Sequence, residues 1–153
     1  MASRILTACG GFLFAVLWMD LMFDVQVLGA PADAPLPPPV LASIAAYYHR
    51  VTTTAWPMGP LIGIVMMIGV AAAVVNAIRG DGPLWRRVLP ILLIAAPVAL
   101  ALGRVFPDAV RLGAAADPPL VQSELARSIC HGHLACLASI GALLVLQIGD
   151  RRR

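Results

Sequence analysis

Four apolar segments, each long enough to cross a lipid bilayer, dominate the sequence. They cover residues 5–28, 56–78, 84–106 and 120–148, and a transmembrane helix needs about 20 mostly apolar residues. Only 12% of the residues are charged and 60% are hydrophobic, whereas soluble domains carry about 25% charged residues. The pattern predicts an all-α fold: a four-helix transmembrane bundle, formed by a single integral membrane domain over residues 1–153.

The segments between the spans carry their own signals. Proline-rich "GAPADAPLPPP" follows the first span, and "RGDGP" separates the second from the third. Within "VLASIAAYYHRVTTTAW" the apolar residues recur at helical spacing. This spacing predicts an extra helix that leads into the second span, either continuous with it or lying at the membrane interface. Tyr47, Tyr48 and Trp56 suit the aromatic belt of such an interface. Residues 107–119 are expected to form a short, irregular connection.

Arginine placement predicts the orientation, because cytoplasmic loops of membrane proteins carry an excess of positive charge. Seven arginines fall on the side of the chain termini and three or four on the other side. The seven are Arg4, Arg79, Arg86, Arg87, Arg151, Arg152 and Arg153. We therefore expect a multi-pass protein of the cell membrane with both termini in the cytoplasm and the extra helix on the outer side.

Several classes of function find no support in the sequence. The net charge of +3 comes without a basic stripe interleaved with aromatics, so no nucleic-acid partner is expected. The three cysteines form no CxxC pair, which argues against a disulfide framework or a zinc site. His131 and His133 of "CHGHLAC" lie about 200° apart around a helix and cannot chelate one ion there. No metal site is expected, no cofactor is indicated, and His133 is interpreted as facing lipid or a partner.

Ionisable residues cluster at one depth of the predicted bundle. Asp20 and Asp24 lie four residues apart on one face of the first span. Charges at such depth are costly, about 2.5–3.5 kcal/mol each, and usually face the bundle interior. The fourth span carries polar residues of its own at the same depth and on one face. The expected ligand-binding cluster comprises Asp20, Asp24, Glu124, Arg127 and His131, with His49, Arg50 and Arg104 at its rim.

The cluster has two interpretations. As a site for a lipophilic ligand or substrate, it would use Asp20 or His131 as a proton acceptor, and Arg127 would hold an anionic oxygen. These three residues are the candidate catalytic groups. As a structural feature, it would be an interhelical ion-pair network that fixes the register of the helices. The face of the fourth span that carries Arg127 and His131 continues through small residues, namely Ala135, Ala138 and Ala142, which let helices approach closely.

Two stretches resemble a known group of proteins. "IAAYYHRVTTTAWPMGPLIGIVM" and "ELARSICHGHLACLASIGALLVL" are similar to parts of the anthrone-oxygenase-like group of small four-span membrane proteins, most of which have no assigned function. The likeness covers the four-span layout, the polar helix before the second span and the start of the fourth span. It does not extend to Asp20 and Asp24. The resemblance implies a cofactor-independent oxygenase or another enzyme that acts on a lipophilic aromatic compound.

The sequence thus predicts a small membrane protein that binds a lipophilic small molecule, without deciding whether it is an enzyme. The alternative is a structural subunit or assembly factor of a larger membrane complex, with a homo-oligomer or a membrane-protein partner. A transporter is the third possibility, but four spans without an inverted repeat leave little room for alternating access. The lipid bilayer is an expected partner in every case.

Overall fold

The chain is built from helices throughout the part that can be described. A computed structural model describes residues 1–31, 34–80 and 83–150, and these contain six α-helices and no strand. The helices are α1 (Ala2–Asp24), α2 (Pro38–Thr53), α3 (Met58–Arg79), α4 (Leu84–Leu100), α5 (Phe106–Ala114) and α6 (Pro119–Asp150). A 3₁₀ helix (Val25–Gly29) extends α1, and a π-helical turn (Ala101–Val105) joins α4 to α5. The predicted all-α architecture is confirmed.

Four helical segments are long and apolar enough to cross a membrane. They are Ala2–Gly29, Met58–Arg79, Leu84–Ala114 and Pro119–Gly149, which matches the four predicted spans to within a few residues except at the end of the third. Helix α1 packs between α3 and α6, and α4 also contacts both of those helices. The four helices therefore close into a ring with a shared interior.

The two ends of the bundle differ. At one end the beginning of α1 meets the end of α6, because Ser3 Oγ donates a hydrogen bond to Gln147 Oε1 at 2.8 Å; we call this the terminal end. At the opposite end α2 and α5 pack against each other and against α6; we call this the capped end. Gly113 makes the α2–α5 contact possible, since a Cβ at this position would lie 2.7 Å from the backbone nitrogen of His49.

Each end has its own apolar core. The terminal-end core lies between α1, α3, α4 and α6, and its buried residues are Leu6, Leu13, Ala72, Ala73, Ile94, Ile140 and Leu143. The capped-end core joins the end of α1 to α2, α5 and the start of α6. It includes Leu21, Val27, Leu36, Leu41, Ile44, Ala45, Tyr48, Val105, Ala109, Leu112, Leu125, Ala126, Ile129 and Cys130. The site described below lies between these two cores.

A proline in α4 ties that helix to α6. Because Pro97 has no N–H group, the carbonyl oxygen of Leu93 loses its intrahelical partner. Ser139 Oγ of α6 donates a hydrogen bond to that oxygen at 3.0 Å. The neighbouring Cys136 Sγ lies 3.8 Å from the carbonyl oxygen of Pro97, as a weak donor. The carbonyl oxygen that the proline frees thus helps to hold α4 against α6.

One connection differs from the sequence-based expectation, and the structure decides between two alternatives for another. Residues 107–119 were expected to be irregular, but α5 occupies Phe106–Ala114. It forms because Ala109, Leu112 and Gly113 recur at helical spacing and are buried against the capped end. Helix α2 lies where the extra helix was predicted. It is not continuous with α3, because it ends at Thr53 and a turn containing a cis Trp56–Pro57 bond precedes α3.

Candidate functional site

A fully buried carboxylate lies at the end of α1. Asp24 has no solvent exposure, and both of its oxygens accept hydrogen bonds. Tyr48 OH donates to Oδ1 at 2.6 Å, and His133 Nδ1 approaches Oδ2 to 2.6 Å. An ionised carboxylate can only accept, so the hydrogen in the second contact belongs to Nδ1 of the histidine. These two contacts supply the partners that a buried acid needs.

A second acid lies one helical turn earlier on the same face. Asp20 Oδ1 accepts a hydrogen bond from Tyr47 OH at 2.5 Å. Its other oxygen, Oδ2, lies 3.8 Å from Nε2 of His133, which is too long for a hydrogen bond but within reach of an ion pair. The two nitrogens of one imidazole ring therefore face the two acids of α1. We call Asp20, Asp24, Tyr47, Tyr48 and His133 the acid–histidine cluster.

The two tyrosines come from α2 and act as donors. Burial, followed by the charge of Asp24, raises the pKa of the Tyr48 phenol above its ordinary value, and burial and Asp20 do the same for the pKa of Tyr47. Both hydroxyls therefore stay protonated. The ring of Tyr47 stacks on Phe23 with centroids 4.0 Å apart. Tyr48 is only 3% exposed, so its predicted role in an interfacial aromatic belt is wrong.

A cavity of about 550 Å³ lies beside the cluster, in the interior of the helix ring. Its walls are mostly apolar, with Leu13, Leu17, Ile62, Met66, Pro97 and Ile140 among the lining residues. Asp20, Tyr48 and His133 contribute polar groups to the wall, as do Thr52 and Thr53. Trp56 and Phe106 also line the cavity, and both are exposed on the protein surface. The cavity therefore opens to the surface near these two aromatic residues.

The acid–histidine cluster contains two acids and, in the part of the chain that the structure describes, no arginine partner for either of them. Within the described residues, no arginine forms a hydrogen bond or ion pair with Asp20 or Asp24, and the sequence contains no lysine. With both acids ionised, the cluster carries a charge of about −1 when His133 is protonated and about −2 when it is neutral. The expected network of several acids and arginines is absent from this part of the structure.

Three predicted members of the cluster lie elsewhere on α6. Arg127 Nη2 donates hydrogen bonds to the carbonyl oxygens of Pro31 and Ala34, at 2.7 and 2.6 Å, and so fixes the segment that follows α1. Glu124 and His131 are exposed. The expectation that His131 and Arg127 join the acids is therefore wrong; His133 occupies that position, and its predicted orientation toward lipid or a partner is wrong as well.

The predicted rim residues also lie outside the cluster. His49 Nδ1 contacts the carbonyl oxygen of Gly113 at 3.1 Å. Arg104 is exposed, and its Nε donates to Ser128 Oγ at 3.0 Å. Arg50 and His49 line a separate surface groove between α2 and α5. Of the predicted site residues, the structure brings only Asp20 and Asp24 together.

Sequence reasoning missed His133, Tyr47 and Tyr48, although a signal for the histidine was present. The buried residues of α6 recur at heptad-like spacing: Ile129, His133, Cys136, Ile140, Leu143 and Gln147. This face carries large side chains, whereas the opposite face carries Ala135, Ala138 and Ala142, which are exposed. Large side chains are needed to fill the interior of the bundle, so they mark the inward face of α6. The small residues, which had suggested the opposite face as the contact face, were the weaker indicator.

The described residues contain no group of three or more histidine, cysteine, aspartate or glutamate side chains arranged to hold a metal ion. Cys9, Cys130 and Cys136 are buried, and none forms a disulfide. The ionisable groups that line the cavity are the carboxyl group of Asp20, the imidazole of His133, the phenol of Tyr48 and the thiol of Cys136.

Comparison with known proteins gives no family for the chain. No protein-family model matches the sequence, and no curated protein or solved structure shows significant similarity to it. The resemblance to the anthrone-oxygenase-like group stays a prediction, and function must be argued from the site itself.

Proposed function

We propose that this protein is an integral protein of the cell membrane that binds a lipophilic small molecule inside its helix bundle. The four apolar segments support the membrane assignment. The arginine excess on the side of the termini supports an orientation with the terminal end in the cytoplasm and the capped end outside.

The observation that carries the proposal is the combination of an apolar cavity with one polar wall. Ligand pockets typically measure about 300–1,000 Å³ and combine apolar walls with a few convergent polar groups. The cavity of about 550 Å³ beside Asp20 and His133 fits this description. Because it opens near Trp56 and Phe106, a ligand would enter at the level of the outer membrane interface.

The geometry of His133 defines what the polar wall can do. Asp24 accepts the hydrogen of Nδ1, so the neutral ring has its lone pair on Nε2, the atom that faces Asp20. This arrangement makes Nε2 a proton acceptor. A ligand would place its hydrogen-bond donor at this wall and its apolar body in the rest of the cavity. An enzymatic step, as the resemblance implies, would use Nε2 as a general base.

A pair of histidine variants tests the proposal. In lipid nanodiscs, His133→Gln should reduce the binding of an environment-sensitive hydrophobic probe about tenfold or more, because the polar wall is lost. The matched variant His131→Gln, exposed on the other face of α6, should bind like the wild type. Fluorescence titration gives the affinities, and a thermal scan confirms that both variants remain folded. Equal binding by folded samples of all three proteins would refute the site.

The alternative function, a subunit of a larger membrane complex, is favoured by a different observation. Ala135, Ala138 and Ala142 are exposed on one face of α6, so this stripe is open to a helix from another chain. Small residues at such spacing allow close helix contacts within membranes. The oligomeric state of the protein separates the two functions, as described in the Discussion.

A further inference from the structure

The polar wall of the cavity presents two acceptors close together. Asp20 Oδ2 lies 3.8 Å from His133 Nε2, and within the described residues Asp20 Oδ2 accepts no hydrogen bond. We propose that the ligand of this cavity is a lipophilic amine, whose ammonium group lies between these two atoms and takes the place of a proton on the cluster. This inference rests on the proposed function and specifies the class of its ligand.

The charge of the surroundings favours a cation. Helix α1 contributes two acids, Asp20 and Asp24, while α2 contributes phenols that stay protonated. The inward face of α6 contributes His133, together with the thiols of Cys130 and Cys136. The cavity-lining residues of α3 and α4 contain no ionisable group. No described cationic side chain is in place to compensate the charge of the second acid. The acids would therefore attract a cationic ligand and repel an anionic one.

The spacing of the two acceptors suits an ammonium group. An atom placed about 2.8 Å from both acceptors fits between them, since this is an ordinary length for a charge-assisted hydrogen bond. A primary or secondary ammonium nitrogen donates two hydrogens, one to Asp20 Oδ2 and one to the lone pair of Nε2. A hydroxyl group donates only one hydrogen and leaves the charge of the acids uncompensated. The hydrocarbon part of the amine would occupy the apolar region lined by residues such as Ile62 and Met66.

Binding of the cation should displace a proton. In the protein with a protonated His133 and no ligand, the imidazolium compensates one of the two acids and leaves the cluster at a charge of about −1. An ammonium group beside Nε2 is repelled by the imidazolium, and it needs the lone pair of a neutral Nε2 as its acceptor. The proton on Nε2 therefore leaves as the cation binds. The total charge is unchanged by this exchange. Because protons compete with the amine, its affinity should rise with pH, by at most about tenfold per pH unit for one proton released.

Three naphthalene probes of similar size test this proposal in lipid nanodiscs: one with an aminomethyl group, one with a hydroxymethyl group and one with a carboxyl group. We expect the aminomethyl probe to bind the wild type about tenfold more tightly than the hydroxymethyl probe, and the carboxyl probe to bind most weakly. The affinity of the aminomethyl probe should increase with pH, because its binding releases a proton. Calorimetry in buffers of different ionisation enthalpy should detect the released proton, with empty nanodiscs giving the background of lipid partitioning.

Two variants sharpen the test. Asp20→Asn removes the charge that holds the ammonium group and should abolish the preference for the aminomethyl probe over the hydroxymethyl probe. Asp20→Glu keeps the charge and should keep the preference. Wild-type binding of the amine and the alcohol with equal affinity at all pH values would overturn the amine assignment while supporting a lipophilic site. Binding of all three probes no better than to empty nanodiscs would overturn the proposed function as well.

Discussion

At the scale of single residues, one histidine organises the site. His133 reaches two acids of α1, one through each ring nitrogen, and each acid also accepts a hydrogen bond from one of two consecutive tyrosines of α2. The two pairs differ in burial: Asp24 is fully buried, whereas the side chain of Asp20 is 16% exposed toward the cavity. Asp24 therefore has a structural role, and Asp20 is available to a ligand.

This difference predicts unequal effects of removing the two phenol hydroxyls. Tyr48→Phe leaves a buried oxygen of Asp24 without its donor and should lower the free energy of unfolding by about 1–3 kcal/mol. Tyr47→Phe should cost less, because water in the cavity can replace the lost hydroxyl at Asp20. Unfolding by SDS titration in mixed micelles measures both variants against the wild type. A larger loss for Tyr47→Phe would contradict the assignment of Asp24 as the structural acid.

At the scale of the helices, the close contact between α2 and α5 depends on one glycine. Gly113→Ala would place a Cβ 2.7 Å from the backbone nitrogen of His49, and a backbone atom cannot move away at low cost. We expect a loss of about 1–3 kcal/mol in the free energy of unfolding, together with weaker probe binding because α2 carries both tyrosines. Gly103→Ala is the control, since no atom lies within 4 Å of its added Cβ. An unchanged stability of Gly113→Ala would show that α2 is not held by this contact.

The sequence predicted the elements well and their rotation poorly. Length and hydropathy located all four spans, and apolar spacing located α2. The depth argument expected ionisable residues of the last span beside the two acids of the first, but it named the wrong ones. It did not identify which face of α6 points inward, because Arg127 and His131 on one side and His133 on the other lie at similar depth. The rotation of α6 depends on side-chain bulk and on the hydrogen bonds of Arg127 to two backbone carbonyl oxygens. Residue spacing alone does not reveal these hydrogen bonds.

At the scale of the whole molecule, the bundle separates a potential assembly surface from the cavity. The alanine stripe of α6 faces outward, while the acid–histidine cluster faces inward. The capped end encloses the cluster with α2, a helix outside the four spans. Binding and assembly can therefore be tested independently in one protein.

If the protein assembles through α6, Ala138→Leu should shift the oligomer distribution toward smaller species, because the larger side chain prevents close helix contact. Ala99→Leu, at an exposed position of α4, is the matched control and should leave the distribution unchanged. Native mass spectrometry from detergent micelles measures both. Indistinguishable distributions for the wild type and Ala138→Leu would count against the subunit alternative.

The π-helical turn at Ala101–Val105 has a consequence for how such a cavity can be built. A π turn accommodates one more residue than an α turn, so each residue from Phe106 onward stands about 100° less far around the axis than in an uninterrupted α-helix. This phase offset lets a single continuous rod present Ile94 to the terminal-end core and Leu112 to the capped-end core. A membrane helix normally turns one face toward the interior of its bundle. Here the inserted residue gives the helical segment two such faces, and the mouth of the cavity lies where one face gives way to the other.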